Sequence, residues 1–285
     1  MSLKFISFGI FIILVITIIY MTMQSNQENF SIYDDFKKSL NTINRKVRKD
    51  TWSYYIADTN IKNWILSLIR SKNCKNLFIS DEIYYGHPDL EFNYSHTMSN
   101  KIIISNRDYK ALEDYYSRRD ENAVYNLGSL IIHESVHIDQ RYNYEKYKQL
   151  YKLWGYIFED VQNINVLLQT KRQNPDALDD DVIWSDGINY YFINCFYNKH
   201  NLSKDVIKYA YKLSRNGNTF SYDGEEGILL ENLKSYNDFF GKIHSNYTPN
   251  EICAEYTEIV FSTCLYGNTE FDTPAYRIFK KYFEY

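Results

Sequence analysis

Apolar residues are spaced in this chain in three ways. Phe5 to Met23 is a run of 19 residues without a charge, the length of one bilayer-crossing helix. Asn60 to Arg70 (NIKNWILSLIR) carries apolar residues at 61, 64, 65, 68 and 69, which form one stripe on a helix. Short β-rich runs at 76–80, 90–94 and 101–105 predict strands. Helical spacing returns at 108–118, at 122–142 and across 145–170. Residues 173–187 form an acidic stretch with turn signals at Asn174-Pro175-Asp176 and Asp186-Gly187. Residues 188–225 are aromatic and β-branched in patches, and Asn216-Gly217 predicts a hairpin turn. Residues 249–266 and 273–283 predict closing helices. The sum is an α+β domain with a small sheet.

The N-terminal run sets the expected organisation. A cleaved signal would have a shorter apolar region, roughly 7–15 residues, ending in a small-x-small site. This run ends in Tyr20-Met21-Thr22-Met23 instead, so an uncleaved transmembrane helix is expected. The expected divisions are an anchor at 1–24, a charged juxtamembrane helical region at 25–75 and a catalytic domain at 76–285. The expected location is a membrane, spanned once through residues 5–23; the Tyr, Asn, Ile and Lys bias suits a viral or host membrane. Orientation stays open: Lys4 favours an inside N-terminus, and Lys37, Lys38, Arg45, Lys46, Arg48 and Lys49 pull the other way.

Charge narrows the classes of partner. The formal net charge is -4 and the pI about 5.9, so nothing in the balance attracts nucleic acid. The four cysteines, Cys74, Cys195, Cys253 and Cys264, include no CxxC pair, so a cysteine zinc knuckle is not expected. Two disulfides in an exported domain and four free thiols both fit this spacing.

Residues 133–137 read His-Glu-Ser-Val-His. On a helix, positions four apart share a face, so both imidazoles can reach one zinc ion. Glu134 then stands beside the open coordination position, where it can act as general base toward a water. Tyr125, Leu127, Leu130, Ile131 and Ile132 precede the motif without proline, which gives it a helical setting. The strand expected at 101–105 suits a sheet edge that holds an extended peptide beside this helix.

Two histidines leave the site one ligand short. No histidine continuation follows, since the next residues are Ile138-Asp139-Gln140-Arg141-Tyr142. A distant carboxylate is therefore expected. Glu159 lies 22 positions beyond His137, but Asn163 stands where a partner acid would be. Glu251 and Glu255 lie one turn apart on the helix opening at Thr248, so one can bind the metal and the other orient a histidine ring. Thr248-Pro249-Asn250-Glu251 is also a capping box, in which Glu251 would reach back to the backbone and leave Glu255 as the ligand. Spacing alone leaves the two open.

Across residues 100–265 the chain resembles a family of gluzincin-like zinc metallopeptidases. The resemblance is carried by His133–His137, by Asn174-Pro175-Asp176 with Trp184, and by Tyr247-Thr248-Pro249-Asn250-Glu251-Ile252-Cys253-Ala254-Glu255. It implies a zincin-like domain and Glu251 as third ligand, with a peptide or protein as substrate. Thr248 stands where the family has His, and Glu255 where it has Asp. The expected reaction is zinc-assisted hydrolysis of a peptide bond, with His133, His137 and Glu251 on the metal and Glu134 as base. Tyr247 and His244 are candidates to stabilise the transition state, and Glu255 to orient a ligand. Asp176, Asp179, Asp180 and Asp181 could line the cleft or hold a hard cation. The rival reading is a catalytically silent, membrane-displayed binding or structural protein on the same scaffold; an intact Glu134 argues against it.

Overall fold

The computed structural model describes residues 54–72, 74–86, 95–172, 181–197, 206–267 and 270–285. The first elements are β1 (Tyr54–Ile56) and α1 (Thr59–Ser71). Asp58 caps α1, its Oδ1 accepting from the amides of Asn60 and Ile61 at 2.8 and 3.1 Å. Its predicted stripe is buried at Ile61, Ile65, Leu68 and Ile69. Then come β2 (Ile83–Gly86), β3 (His96–Met98) and β4 (Lys101–Ile104). The four strands form a sheet in the order β1-β2-β4-β3, with β2 and β4 parallel and the outer pairings antiparallel. β3 is thus an edge strand.

Ser105 caps α2 (Asn106–Arg118), and Arg119 ends it at φ 55°. α3 (Ala123–Tyr142) follows, then α4 (Tyr144–Leu153). The helical spacing expected through residue 170 stops here. Gly155 turns the chain at φ +88°, where an added Cβ would lie 2.7 Å from the Ser185 carbonyl oxygen, so only glycine suits the turn. The chain continues as β5 (Tyr156–Ile157), β6 (Val161–Gln162) and the one-turn α5 (Asn165–Leu168).

The aromatic patches form strands: β7 (Ile183–Ser185), β8 (Tyr190–Tyr197), β9 (Val206–Asn216) and β10 (Thr219–Ser221), with β11 (Ile228–Leu229) beyond. They build a curled seven-stranded sheet in the order β5-β7-β8-β9-β10-β6, with β11 on β9. The β9–β10 hairpin turns at Gly217, φ +61°, and pairs Asn216 with Thr219. A short 3-10 turn leads to α6 (Lys234–Phe240), α7 (Pro249–Tyr266) and α8 (Pro274–Phe283).

α3 and α7 pack together between two apolar cores. Ile131, Ile132, Ile138 and Phe261 face one, with α1 and the four-stranded sheet. Val136, Ile252, Ala254, Tyr256 and Val260 face the other, with Trp154, Trp184, Tyr236, Phe240 and Phe279. The unit that carries the site runs from Trp52 to Tyr285, so α1 belongs to it.

Three expectations are corrected. A zincin-like domain with one small sheet behind a transmembrane helix was expected; the chain builds an α+β unit with two sheets, the larger made from the aromatic segment. The run at 5–23 and the charged stretch at 33–50 lie outside the described residues, as does the strand expected at 90–94. Among the described residues no helix is long and apolar enough to cross a membrane, against the single-pass membrane location expected. The most apolar long helices carry polar groups in mid-span, His133, Glu134 and His137 on α3 and Glu251, Glu255 and Glu258 on α7. The segment 76–80, expected as a strand, runs without ladder pairing, and Ser80 donates its amide to Ser135 Oγ at 3.0 Å.

Candidate metal centre

α3 presents His133 and His137 one turn apart, with ring centroids 4.9 Å apart. α7 crosses opposite and supplies Glu251. His133 Nε2 lies 3.5 Å from one Glu251 oxygen, and His137 Nε2 lies 3.6 Å from the other. The three residues form a group whose ligand atoms all lie within 4.8 Å of one another. His137 and Glu251 are buried.

The helix start that carries Glu251 is built by its own sequence. Thr248 is the N-cap and accepts from the Glu251 amide at 3.4 Å, and Pro249 occupies the first turn. The backbone of Glu251 thus takes the capping bond while its carboxylate faces the two imidazoles. That separates the two readings of the capping box. Glu159 is exposed beyond β5 and takes no part in the group.

The outer nitrogens of both rings are engaged. His133 Nδ1 donates to Glu258 Oε1 at 2.5 Å. His137 Nδ1 donates to Gln140 Oε1 at 2.9 Å. Gln140 is held in turn by its Nε2, which donates to the Asn250 carbonyl at 2.9 Å, and Tyr151 donates to Asn250 Oδ1 at 2.9 Å. Carbonyl and carboxylate acceptors at Nδ1 fix each tautomer with the Nε2 lone pair pointing inward.

This donor set fits a metal ion. Ligands about 2.0–2.1 Å from a tetrahedral centre stand roughly 3.3 Å apart, close to the 3.5 and 3.6 Å found here. Without an ion, burial pulls the His133 imidazole down, but hydrogen bonds to Glu251 and Glu258 and the charges of Glu251 and Glu134 outweigh it. The ring is held well above its ordinary value. Glu134 is buried on the same turn of α3, close enough for its charge to act on His133.

The other candidates lie elsewhere. Glu255 Oε1 accepts from the Ser245 amide at 2.8 Å; it braces the segment before α7 and no ligand ring. His244 is exposed, with Nδ1 3.3 Å from Ser245 Oγ and 4.0 Å from Glu255. Tyr247 is partly buried against the larger core. Trp184 is a core residue whose indole donates to the Trp154 carbonyl at 2.9 Å. Asp181 is paired with Lys171, and Asp176, Asp179 and Asp180 lie outside the described residues. Glu258 and Gln140 were missed in the sequence, although their spacing carried a signal. Glu258 is seven residues beyond Glu251 and Gln140 three beyond His137, so each shares a helix face with a ligand.

At the edge of the site, Arg141 ties α3 to the β3–β4 hairpin. Its guanidinium donates to the Ser99 carbonyl at 3.0 Å and to Thr97 Oγ1 at 2.5 Å. What the geometry defines is a His-His-Glu group able to hold a metal ion. Comparison of the chain with protein-family models, with curated proteins and with solved structures finds no match.

Proposed function

We propose that this chain is a zinc-dependent peptidase that hydrolyses peptide bonds at His133, His137 and Glu251. The observation that carries the reading is the convergence of these three side chains with Glu134 on the same turn of α3. Two imidazoles and one carboxylate with ligand atoms within 4.8 Å of one another suit zinc among the common divalent ions. When bound, zinc supplies Lewis acidity at a fourth, open position and lowers the pKa of a water there toward ~7.

The remaining steps belong to the chain's own residues. Glu258 and Gln140 hold the two rings by their Nδ1 atoms, so the Nε2 lone pairs stay aimed at one point. Glu251 contributes the negative charge that a divalent ion needs in a buried setting. Glu134 is the base: it takes the proton of the attacking water and returns it to the departing amine. The strand β3, at the end of the four-stranded sheet and fixed to α3 through Arg141, is where an extended peptide would lie alongside the site.

The test uses the full-length protein. Expected results are stoichiometric zinc by elemental analysis, zinc lost in His137→Ala, and zinc retained in Glu134→Gln with hydrolysis reduced about 10²–10⁴-fold. Folded protein that takes up no zinc at micromolar metal would overturn the reading. Equal hydrolysis by Glu134→Gln would remove Glu134 from the chemistry.

A further inference from the structure

The open side of the metal centre is marked by exposure. The His137 and Glu251 side chains are closed off, 1% and 8% exposed, whereas His133 is 16% and Glu258 30% exposed. A substrate therefore approaches over the face of α7 that carries Glu258. Glu251, Glu255 and Glu258 share that face by their spacing of four and three. Glu255 Oε1 accepts from the Ser245 amide at 2.8 Å, so residues 244–246 rim the approach. The larger sheet holds this rim from its other side. Lys208 on β9 donates its Nζ to the His244 carbonyl, and to Asn246 Oδ1 at 3.3 Å.

The ladder register gives Lys208 a cationic companion. Lys208 stands across from Cys195 of β8, and Ile207 across from Phe196. On the other side of β8, Lys171 bridges to Phe196, and the Arg172 amide donates to the Cys195 carbonyl at 2.8 Å. Side chains alternate along extended chain. Arg172, Cys195 and Lys208 therefore share one face of the sheet. It is the face on which Ile193 and Ala210 pack in the core with Ile252 of α7. The electrostatics agree with this placement: burial pushes the Cys195 thiol up to about 12, and the charges of Lys208, Arg172 and Glu251 all act on it. Among the described residues neither cation is paired with a carboxylate; Lys208 rests on neutral oxygens. Two cations flanking one small side chain thus sit beside the rim of the metal centre with their charge uncompensated.

We propose, resting on the peptidase reading above, that Arg172 and Lys208 form a carboxylate subsite that selects peptides bearing a carboxylate near the scissile bond. The guanidinium matches a carboxylate in two parallel hydrogen bonds, and the ammonium adds a point charge. An acidic side chain and a free C-terminus present the same group, and the test separates them. Both residues determine specificity; neither belongs to the metal centre.

The test is titration calorimetry on the full-length, zinc-loaded protein carrying Glu134→Gln, so that binding is read without turnover. The probes are alanine octapeptides blocked at both ends, with one Glu or one Gln stepped along the chain, and an all-alanine octapeptide with a free C-terminus. At one position Glu should bind about 10-fold tighter than Gln, and the gap should shrink as salt is raised. A 10-fold gain confined to the free C-terminus would support the subsite with the terminal carboxylate as its ligand. Arg172→Met and Lys208→Met should each reduce the preference to about threefold or less at unchanged zinc content. Lys208→Arg should keep it. Arg172→Glu should reverse it toward a peptide with Lys at the same position, and this variant carries the test should Lys208→Met fail to fold. Peptides with and without the carboxylate that bind equally, or not at all, would overturn the proposal, as would a preference that survives Arg172→Glu. An intact acid preference in a protein that hydrolyses none of these peptides with Glu134 restored would support the subsite and strike the peptidase reading alone.

Discussion

Glu258 and His133 make a short polar contact at the metal centre, 2.5 Å from Oε1 to Nδ1, while Glu251 faces the other nitrogen of the same ring at 3.5 Å. Two carboxylates two turns apart on α7 therefore grip one imidazole from both ends. The outer one fixes the tautomer and makes the inner nitrogen a better donor. Glu258→Ala should weaken zinc binding about 10–100-fold, read by competition with a chromophoric chelator. Glu255→Ala should stay within about threefold, since Glu255 touches no ligand ring. If Glu255→Ala is the weaker binder of the two, the assignment of the orienting carboxylate is wrong.

Glu255 makes a different prediction, about pH. Burial raises its pKa above the ordinary 4.5, and the charge of Glu258 adds to that, against the pull of His133 and the Ser245 amide. The folded state thus holds the proton more tightly than the unfolded chain. The contribution to stability is fully present below the unfolded value and is lost as pH rises through the folded value. Ionised Glu255 is therefore a cost near neutrality. Glu255→Gln keeps an oxygen for the Ser245 amide and removes the charge. The metal-free variant should melt higher than the parent at pH 7, by a few degrees (roughly 1–4 °C), and the gap should close below pH 4.5. A gap that widens on acidification would refute the sign.

His244 offers a negative control. Its side chain is 94% exposed, and its Nδ1 lies 3.3 Å from the hydroxyl of the adjacent Ser245. His244→Ala should change hydrolysis by no more than about twofold, as for a surface substitution. A loss of two or more orders of magnitude would return His244 to the role of transition-state donor.

Local pattern made much of this molecule legible. The stripe of α1, the motif helix α3, the Thr248-Pro249 start of α7 and the glycine hairpin at β9–β10 were all readable, because each rests on side chains within a few residues. The third ligand was legible only as an alternative, since capping box and metal ligand use the same glutamate. The structure parts them by giving the Glu251 amide to Thr248 and the carboxylate to the histidines. The seven-stranded sheet was not legible, because strand partners far apart in sequence leave no periodic trace. β6 joins β10 in parallel, a pairing no local pattern encodes. The end of α4 was missed because Gly155 is a stop signal only once the Ser185 carbonyl is known to press on it.

The closeness of α3 to α7 rests on Gly128. A Cβ at this position would lie 3.0 and 3.2 Å from two ring atoms of Phe261, and Phe261 is fully buried. Two effects oppose each other in Gly128→Ala. Alanine in a helix interior is worth about 1 kcal/mol over glycine, whereas overpacking a filled core costs about 1–3 kcal/mol. The buried ring has little room to yield, so the clash should win. We expect Gly128→Ala to lower stability by about 1 kcal/mol, and Gly128→Val to do so by more. Because the displaced helix carries Glu251, zinc affinity should fall alongside stability in Gly128→Val. Phe261→Leu removes the ring, and in that background Gly128→Ala should become neutral or stabilising. The coupling in the double-mutant cycle should reach about 1 kcal/mol or more. Additive effects of the two substitutions in thermal melts would show that another contact sets the spacing of the two ligand helices.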